Sequence, residues 1–259
     1  ALEGFEEPEV VAALAARLLD ADEAVRDAAG EVLAELKHSA SAEHLLPYLS
    51  GHGTAVRMLA FRAVRALRVI DAFEPALTAL RDPDPGVRRE AVGVLGYLRR
   101  AEAVGELAEV AAHDPDAEVR RIAVGALGYT SEISVLPALT RALGDSAWMV
   151  RDEAAQTIGK LGLGPAIPDL VKAMNDTYWQ VRVKAARSLG VLKASAGLPA
   201  LVEALSHTIS NLRKEAAIAL GEIADPRAIP ALEKALEDPD PDVRKLSRLA
   251  LTAIELARK

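Results

Sequence analysis

Arginine and aspartate side chains recur together along this sequence at a nearly constant interval, so the first question is whether they form a charged site. Each arginine directly follows a valine or leucine, and in six copies an aspartate stands six residues before it. The arginines are Arg26, Arg57, Arg88, Arg120, Arg151, Arg182, Arg213 and Arg244, and the aspartates are Asp20, Asp82, Asp114, Asp145, Asp176 and Asp238. Because each copy has the same charges at the same position, we expect a structural ladder. In it each guanidinium binds a turn carboxylate or turn carbonyl of its own copy or the adjacent one.

The other residue types that carry chemistry do not form a recognisable catalytic or metal-binding motif. The five histidines are His38, His44, His52, His113 and His207, and no two of them have the i, i+4 spacing of paired metal ligands on a helix. The sequence contains neither a Gly-x-Ser-x-Gly elbow nor a glycine-rich phosphate loop. We therefore expect a protein without enzyme activity, metal site or cofactor, and binding of a small molecule is not favoured.

Composition and charge exclude several classes of protein. The net charge of −7 works against binding a nucleic acid unless basic residues cluster on one face. The absence of cysteine excludes disulfides and thiolate metal sites. No apolar stretch approaches the length of about 18 residues that indicates a membrane helix, and no signal peptide pattern opens the sequence. We expect a cytoplasmic protein that does not bind membranes.

The interval between the hydrophobic–arginine pairs indicates which elements position these side chains. Successive pairs lie 31, 31, 32, 31, 31, 31 and 31 residues apart, and a fixed period over a whole chain is typical of stacked repeats. Each repeat has two segments of helical periodicity, which we term helix A and helix B. We predict an all-α fold, a right-handed α-solenoid of eight two-helix repeats that forms a single domain over residues 1–259. The repeats span residues 6–38, 39–69, 70–100, 101–131, 132–162, 163–193, 194–224 and 225–259.

Proline, aspartate and glycine define the ends of these helices. Helix A opens with a proline such as Pro137, because the first turn of a helix does not use the missing N–H. The second aspartate of the following turn, such as Asp84, Asp116 or Asp240, is placed to cap helix B. Pro47 falls inside helix A of the second repeat and predicts a kinked or shortened helix. Glycine near the end of helix B either permits close contact with a neighbouring backbone or ends the helix, at Gly96, Gly128, Gly159, Gly190 and Gly221.

The repeats resemble a known family. The pattern Asp-x-Asp-x-x-Val-Arg-x-x-Ala-x-x-Ala-Leu-Gly-x-Ile, together with Ile-Pro-Ala-Leu-x-x-Ala-Leu, is similar to the short HEAT-like repeat named after phycobilisome lyases. It is also similar to the consensus of artificial α-helical repeat proteins. The resemblance covers all eight repeats and implies that the B helices line the concave face. It specifies the fold far better than the function, because such repeats occur in bilin lyase subunits, scaffolds and regulators.

The helix-B positions that vary between repeats are candidates for a binding surface. Positions 2, 3, 6 and 10 after the valine vary while positions 0, 4 and 8 stay apolar, so we expect the varying positions to face outward. Tyr97 and Tyr129 share one such position in adjacent repeats, and Trp148 and Trp179 share a position two residues before the valine. Aromatic residues beside arginine have the composition of a binding hot spot. The candidate set for partner binding is Tyr97, Tyr129, Trp148, Trp179, Ile122, Val183, Arg89, Arg121 and Arg187.

Two interpretations of the aromatic residues stay open. In the first, Gly93 and Gly125 at position 6 leave room beside the tyrosines, about 10 Å apart in neighbouring helices, for an inserted side chain or helix. In the second, the tryptophans pack over the inter-repeat turns and the tyrosine hydroxyls reach backbone partners.

Three functions are compatible with this sequence. The first is a protein–protein interaction scaffold or adaptor that binds a helix or extended segment of a partner in the concave groove. The second, supported only by the family resemblance, is a subunit of a bilin lyase or a related chromophore-handling protein. The third is a nucleic-acid-binding HEAT-like protein. The outward helix-B positions hold eight basic and eight acidic residues, the latter including Glu90 and Glu215, so they create no net field for phosphate. We predict the scaffold.

Overall fold

A computed structural model of the chain describes residues 7–130 and 133–258, and every regular element in these two ranges is helical. The all-α prediction is therefore confirmed. None of the helices in these ranges combines the length and the apolar character that a bilayer crossing requires. Backbone contacts divide the chain into two compact units, Ala1–Thr130 and Ser131–Lys259. The handedness of the stack and a single domain over residues 1–259 stay predictions.

The first unit consists of repeats in which a B helix follows an A segment, and this A segment is an α-helix in every repeat but the second. Its helices are α1 (Pro8–Ala16), α2 (Glu23–Ala34), α3 (Thr54–Leu67), α4 (Phe73–Ala79), α5 (Pro85–Leu98), α6 (Val104–His113) and α7 (Ala117–Leu127). The B helices α2, α3, α5 and α7 pack side by side in one layer. The A helices α1, α4 and α6 each pack on the B helix of their own repeat and form the second layer.

The second unit repeats this arrangement four times. Its helices are α8 (Leu136–Ala142), α9 (Trp148–Leu161), α10 (Ile167–Ala173), α11 (Trp179–Val191), α12 (Leu198–Ala204), α13 (Ser210–Ile223), α14 (Ile229–Lys234) and α15 (Pro241–Ala257). The B helices α9, α11, α13 and α15 pack on one another in sequence, and each A helix packs on the B helix that follows it. Each unit is thus built from two-helix repeats that bury their apolar faces against their neighbours.

The predicted capping residues define the start of the B helices. Asp84 accepts hydrogen bonds from the backbone N–H groups of Gly86 and Val87 at 2.8 and 3.2 Å, with Pro85 in the first turn of α5. Asp116 caps α7 in the same way. Such a cap satisfies N–H groups that have no partner within the helix and contributes about 1 kcal/mol.

The second repeat departs from the others at the position that the sequence indicates. Its A segment contains no α-helix and consists instead of two 3₁₀ segments, Ser39–His44 and Leu46–Leu49. Pro47 lies in the first turn of the second segment, where its lack of an N–H costs nothing. The prediction of a shortened helix at Pro47 is confirmed.

Three of the glycines near the ends of B helices allow close contact between neighbouring helices. A Cβ atom on Gly159 would lie 2.9 Å from the Cα of Ser188, and one on Gly190 would lie 2.8 Å from the Cα of Ala219. Gly221 has the same relation to Ala250, at 2.9 Å. All three helices continue beyond their glycine. Of the two predicted roles, close contact is therefore the one that the structure shows at these positions.

Candidate protein-binding surfaces

The arginine ladder connects successive repeats and is a structural feature, as predicted. Nε and Nη2 of Arg88 donate to the two carboxylate oxygens of Asp114 in the next repeat, at 2.7 and 2.8 Å. Nη1 of the same guanidinium donates to the backbone carbonyl of Asp82 in its own turn, at 2.9 Å. Both side chains of the ion pair are buried. Arg88 therefore joins the turn of one repeat to the turn of the next.

The same arginine–aspartate pair, which we call a rung of the ladder, recurs in both units. In the first, Arg57 binds Asp82 at 2.7 Å. In the second, Arg151 binds Asp176 and Arg213 binds Asp238, each through two hydrogen bonds. The hydrogen bonds from Arg213 lower the pKa of Asp238. Carboxylates held in this way are committed to the fold, so we assign no binding function to the ladder.

At one repeat boundary, His207 replaces the aspartate of the ladder, and it cannot satisfy both hydrogen-bond donors that the aspartate would satisfy. Nη1 of Arg182 lies 3.2 Å from Nε2 of His207, while the backbone N–H of Ile209 donates to Nδ1 at 3.0 Å. A neutral imidazole has one acceptor nitrogen and one N–H, so it cannot accept hydrogen bonds from both donors at once. This rung therefore lacks the paired hydrogen bonds of its neighbours.

Tyrosine and arginine side chains form an exposed surface at the ends of the B helices of the first unit. Tyr97 and Tyr129 are 46% and 48% exposed. The guanidinium carbons of Arg65 and Arg68 lie 5.9 and 5.4 Å from the centre of the Tyr97 ring, and that of Arg99 lies 4.9 Å from the Tyr129 ring. These are cation–π distances. We call these five residues the tyrosine–arginine patch.

The backbone at the ends of α3 and α5 directs two of these arginines toward the tyrosines. Arg68 and Arg99 are the C-cap residues of the two helices, and both have a φ of 53°, in the left-handed region. Each one extends from the end of its B helix to the tyrosine of the following repeat. Glycine is the usual residue in this conformation, because other side chains are strained in it.

The room that we predicted beside Tyr97 is filled. A Cβ atom on Gly93 would lie only 2.9 Å from Cδ of Arg65, because the arginine stem packs over the glycine. The cavity under Arg99 and Tyr129 measures only about 10 Å³, which is about the space for one water molecule. The prediction that Gly93 admits an inserted side chain is therefore wrong, whereas the same prediction for Gly125 stays a prediction.

Two acidic residues that we predicted to face outward are buried. Glu90 is 4% exposed and binds Arg65 at 3.0 Å and Arg62 at 3.5 Å, and Glu215 is 6% exposed and binds Arg187 at 2.8 Å. All three arginines lie on the preceding B helix. Position 3 of helix B therefore faces the neighbouring repeat at Glu90 and Glu215, and the prediction that these two residues lie on the outer surface is wrong.

Aromatic residues in the second unit gather at the turns that precede α9 and α11. The rings of Trp148 and Tyr178 stack with their centres 5.6 Å apart and their planes at 14°, and the guanidinium of Arg151 lies 5.6 Å from the Tyr178 ring. Trp148 is half-buried, whereas Tyr178 and Trp179 are 46% and 36% exposed. We call Trp148, Tyr178 and Trp179 the aromatic turn cluster. The packing interpretation thus holds for Trp148, and Trp179 offers exposed ring surface.

Tyr178 belongs to this cluster although it is not among the binding residues predicted from the sequence. It occupies the N-cap position of α11, where Asp84 and Asp116 cap their helices in other repeats. An aromatic residue in place of a capping aspartate is the signal that could have identified it, because it gives up a hydrogen bond to the helix.

Four of the five other predicted residues are less exposed than the tyrosines, the exception being Arg187. Ile122, Val183 and Arg89 are half-buried. Arg121 is paired with Glu118 on its own helix at 2.6 Å, and this hydrogen bond lowers the pKa of Glu118. Their role in binding a partner stays a prediction.

Metal-binding residues do not come together in the part of the chain that the structure describes. Within residues 7–130 and 133–258, no group of three or more histidine, aspartate or glutamate side chains could hold a metal ion. The candidate surfaces are therefore made of aromatic rings, arginines and half-buried aliphatic side chains.

Comparison with known proteins identifies the repeats. The family model described as HEAT repeats matches residues 45–128, 70–159, 105–179 and 167–252. A second model, described as a HEAT repeat associated with sister chromatid cohesion, matches residues 6–32. The comparison with curated proteins gives no match.

Solved structures of similar fold have low sequence identity to this chain. YibA of Escherichia coli has a TM-score of 0.74 at 19% identity, with 98% of this chain and 96% of that chain covered. An engineered protein has a TM-score of 0.59 at 22% identity, with 95% and 79% covered. Kap95p, which binds RanGDP, has a TM-score of 0.67 at 15% identity, with 98% of this chain but only 40% of that chain covered. These likenesses show the fold alone. Because the HEAT model matches from residue 45 to residue 252 of 259, the chain belongs to the HEAT repeat family.

Proposed function

We propose that this HEAT repeat protein is an interaction scaffold that binds a helix or extended segment of a partner protein on the surface of its B-helix layer. Stacked repeats bury apolar surface only between neighbours and leave an extended surface along each layer. Residues on such a surface bind the partner by contact alone. We assign no catalytic activity to the chain.

The observation that carries this proposal is the exposure of aromatic side chains in a protein that has few of them. The sequence holds only two tryptophans, four tyrosines and three phenylalanines. Tyr97, Tyr129, Tyr178 and Trp179 are nevertheless between 36% and 48% exposed. Tyrosine, tryptophan and arginine are enriched among the residues that dominate the energetics of protein interfaces. The two aromatic side chains bury large areas and lose little conformational entropy.

The finer family assignment stays a prediction. The resemblance to the phycobilisome-lyase repeat was drawn from the repeat motif, and the family model supports HEAT repeats in general. A role as a bilin lyase subunit would require binding of a linear tetrapyrrole, which a spectroscopic titration would reveal. We favour the scaffold because exposed aromatic residues beside arginines are a usual composition of protein interfaces.

Site-specific photo-crosslinking tests the proposed function. A photo-reactive phenylalanine analogue is placed at Tyr97, Tyr129 or Trp179 and, as a control, at the exposed Lys172 of the A helix α10. We expect the three B-layer positions to crosslink one common partner and the A-layer position to give none. The double variants Tyr97→Ala/Tyr129→Ala and Trp148→Ala/Trp179→Ala should weaken recovery of that partner while keeping the helical circular dichroism spectrum. Equal crosslinking from Lys172, or unchanged recovery by both double variants, would contradict the proposal.

A further inference from the structure

Arg68 and Arg99 repeat one arrangement at successive repeat boundaries of the first unit. Each is a left-handed C-cap residue, and each places its guanidinium over the tyrosine of the next repeat, at 5.4 Å for Tyr97 and 4.9 Å for Tyr129. Both arginines are exposed. The patch therefore displays two exposed cations that the rings hold in related positions, one repeat apart.

These two arginines differ from their neighbours because no carboxylate neutralises them. Arg65 binds the buried Glu90, and Arg100 binds Glu102. Within residues 7–130 and 133–258, no aspartate or glutamate forms a salt bridge with Arg68 or Arg99. Each guanidinium keeps in-plane N–H groups that can bind a carboxylate through two parallel hydrogen bonds. In a protein of net charge −7, Arg68 and Arg99 thus keep unneutralised positive charge at successive repeat boundaries.

A position equivalent to Arg68 and Arg99 in the second unit also holds a cation, but the residue in place of the tyrosine there is acidic. Lys193 is also left-handed and follows a B helix, α11. The tyrosine position of the next repeat holds Glu222 there. Burial raises the pKa of Glu222, and the charge of Lys193 acts on it in the opposite direction. The charge of Lys193 therefore acts on an acidic residue of its own chain, whereas the guanidinium groups of Arg68 and Arg99 lie over aromatic rings.

We propose that the tyrosine–arginine patch binds an acidic segment of a protein partner, with carboxylates of the segment on Arg68 and Arg99. This inference rests on the proposed scaffold function and adds the chemistry of the bound segment. Neighbouring helices lie about 10 Å apart, so the two carboxylates have to be separated by about that distance. Residues i and i+3 of a polyproline II segment meet this condition, since this helix has three residues per turn and each residue advances the chain by about 3.1 Å.

The arrangement of the rings favours an acidic peptide over a single-stranded nucleic acid. Proteins that bind single strands stack bases on the open faces of aromatic rings. Here arginine cations lie over the faces of Tyr97 and Tyr129, so a base would have to displace them. Binding of phosphates also requires an extended basic surface, and two unpaired arginines on an acidic protein do not provide one.

Peptide titration tests the inference. The probes are a fluorescein-labelled 15-residue peptide with glutamate at every third position, the same peptide with glutamine in its place, and a fluorescein-labelled 15-nucleotide oligothymidine. Fluorescence anisotropy is measured with the full chain at low salt and again at higher salt. We expect the glutamate peptide to bind about tenfold or more tightly than the glutamine peptide, and addition of salt to reduce the difference.

Three variants localise the binding. Arg68→Gly/Arg99→Gly removes both guanidinium groups and suits the left-handed backbone, so it should fold and should lose the preference for glutamate. Tyr97→Leu/Tyr129→Leu keeps the cations but removes the rings that hold them, and should lose part of the preference. Lys193→Gly removes one charge from the equivalent position of the second unit and should leave binding unchanged.

Each outcome of the titration has a defined meaning. A glutamate peptide that binds no more tightly than the glutamine peptide overturns the inference, as does a preference that survives Arg68→Gly/Arg99→Gly or is lost in Lys193→Gly. Tighter, Arg68- and Arg99-dependent binding of the oligothymidine would assign the patch to nucleic acid instead. The scaffold function is judged separately, because its crosslinking test includes Trp179 in the second unit and uses no acidic probe.

Discussion

Arg88 and Asp114 form a double hydrogen bond across a repeat boundary, from Nε and Nη2 to the two carboxylate oxygens at 2.7 and 2.8 Å. Their side chains are only 9% and 4% exposed. Asp114 also accepts the backbone N–H of Asp116 at 2.9 Å, so the same carboxylate shapes the turn of its own repeat. The pair thus links the local geometry of one turn to the stacking of two repeats.

Asp114→Asn should destabilise the protein by about 3 kcal/mol, because it leaves the buried Arg88 charge without its counterion while the amide oxygen can still shape the turn. Arg81→Ala is the matched control. Arg81 binds Glu106 at 3.2 Å on the surface, with 76% and 47% of the two side chains exposed, and should contribute less than about 1 kcal/mol. Urea denaturation gives both values. Similar losses of unfolding free energy in the two variants would show that burial of the ion pair does not increase its contribution to stability.

The ladder also predicts how stability depends on pH. Hydrogen bonds from Arg213 lower the pKa of Asp238, and for Asp176 the hydrogen bonds from Arg151 lower the pKa despite the opposing effect of burial. A carboxylate with a lowered folded-state pKa stabilises the fold fully above its unfolded pKa, here about 3.8. That stability is lost as the pH falls through the folded-state pKa.

We therefore expect the free energy of unfolding to fall as the pH drops through and below about 3.8, because protonation of these two carboxylates breaks their ion pairs. The double variant Asp176→Asn/Asp238→Asn should be less stable than wild type at pH 7 and should show a shallower decline on acidification. Denaturation curves recorded at several pH values measure both slopes. Parallel declines of the two proteins would mean that other carboxylates cause the acid sensitivity.

Replacing His207 by aspartate should stabilise the second unit. An aspartate there can bind Arg182 through two hydrogen bonds, as Asp238 binds Arg213, and can still accept the N–H of Ile209. We expect a gain of about 1–2 kcal/mol in the free energy of unfolding. His207→Asn separates the two effects, because an amide can accept the N–H but carries no charge. If His207→Asn stabilises as much as His207→Asp, the gain comes from the turn and the ladder contributes nothing to it.

Much of this fold could be predicted from the sequence because repeats reveal their constraints by comparison with one another. The fixed period gave the two-helix unit, and the capping role of Asp84 follows from chemistry that acts over two or three residues. Pro47 is a similar case, since its effect depends only on the adjacent turn. Local rules of this kind require no knowledge of which helices are neighbours.

The candidate surfaces were harder to predict, because their geometry depends on contacts between residues 25 to 30 positions apart. A glutamate such as Glu90 looks like a solvated residue until Arg65 on the preceding helix is known to reach it. The same arginine fills the space beside Gly93. Periodicity within one helix predicts the direction of a side chain. It does not predict whether a long side chain from the neighbouring helix reaches the same place.

Alanine at Gly159 should destabilise the protein by about 1–3 kcal/mol, because its Cβ would lie 2.9 Å from the Cα of Ser188 and the two helices would have to move apart. Gly105→Ala is the control. Gly105 lies in the first turn of α6, and apart from its adjacent residues and the backbone of its own helix no atom comes within 4 Å of the position of an added Cβ. That substitution should stabilise by about 0.5–1 kcal/mol through helix propensity alone. Thermal denaturation of the two variants should shift in opposite directions, and a shared direction would argue against close helix contact at Gly159.

The aromatic turn cluster contains one tryptophan that is packed and one that is exposed. The fluorescence of each can be observed alone in a variant that lacks the other. Trp148 stacks on Tyr178 and is half-buried, whereas Trp179 is 36% exposed. In Trp179→Phe the only tryptophan is Trp148, and in Trp148→Phe it is Trp179. We expect acrylamide to quench Trp179 more efficiently than Trp148.

Adding Tyr178→Ala to each single-tryptophan protein identifies the stack as the cause. It should raise the quenching of Trp148 by removing the ring that covers it, and should cost about 0.5–1.5 kcal/mol of stability from the lost aromatic pair. If the quenching of Trp148 does not respond to Tyr178→Ala, the two rings are not in contact in solution. The exposed aromatic surface of the second unit would then include Trp148, and the packing interpretation of that residue would fail.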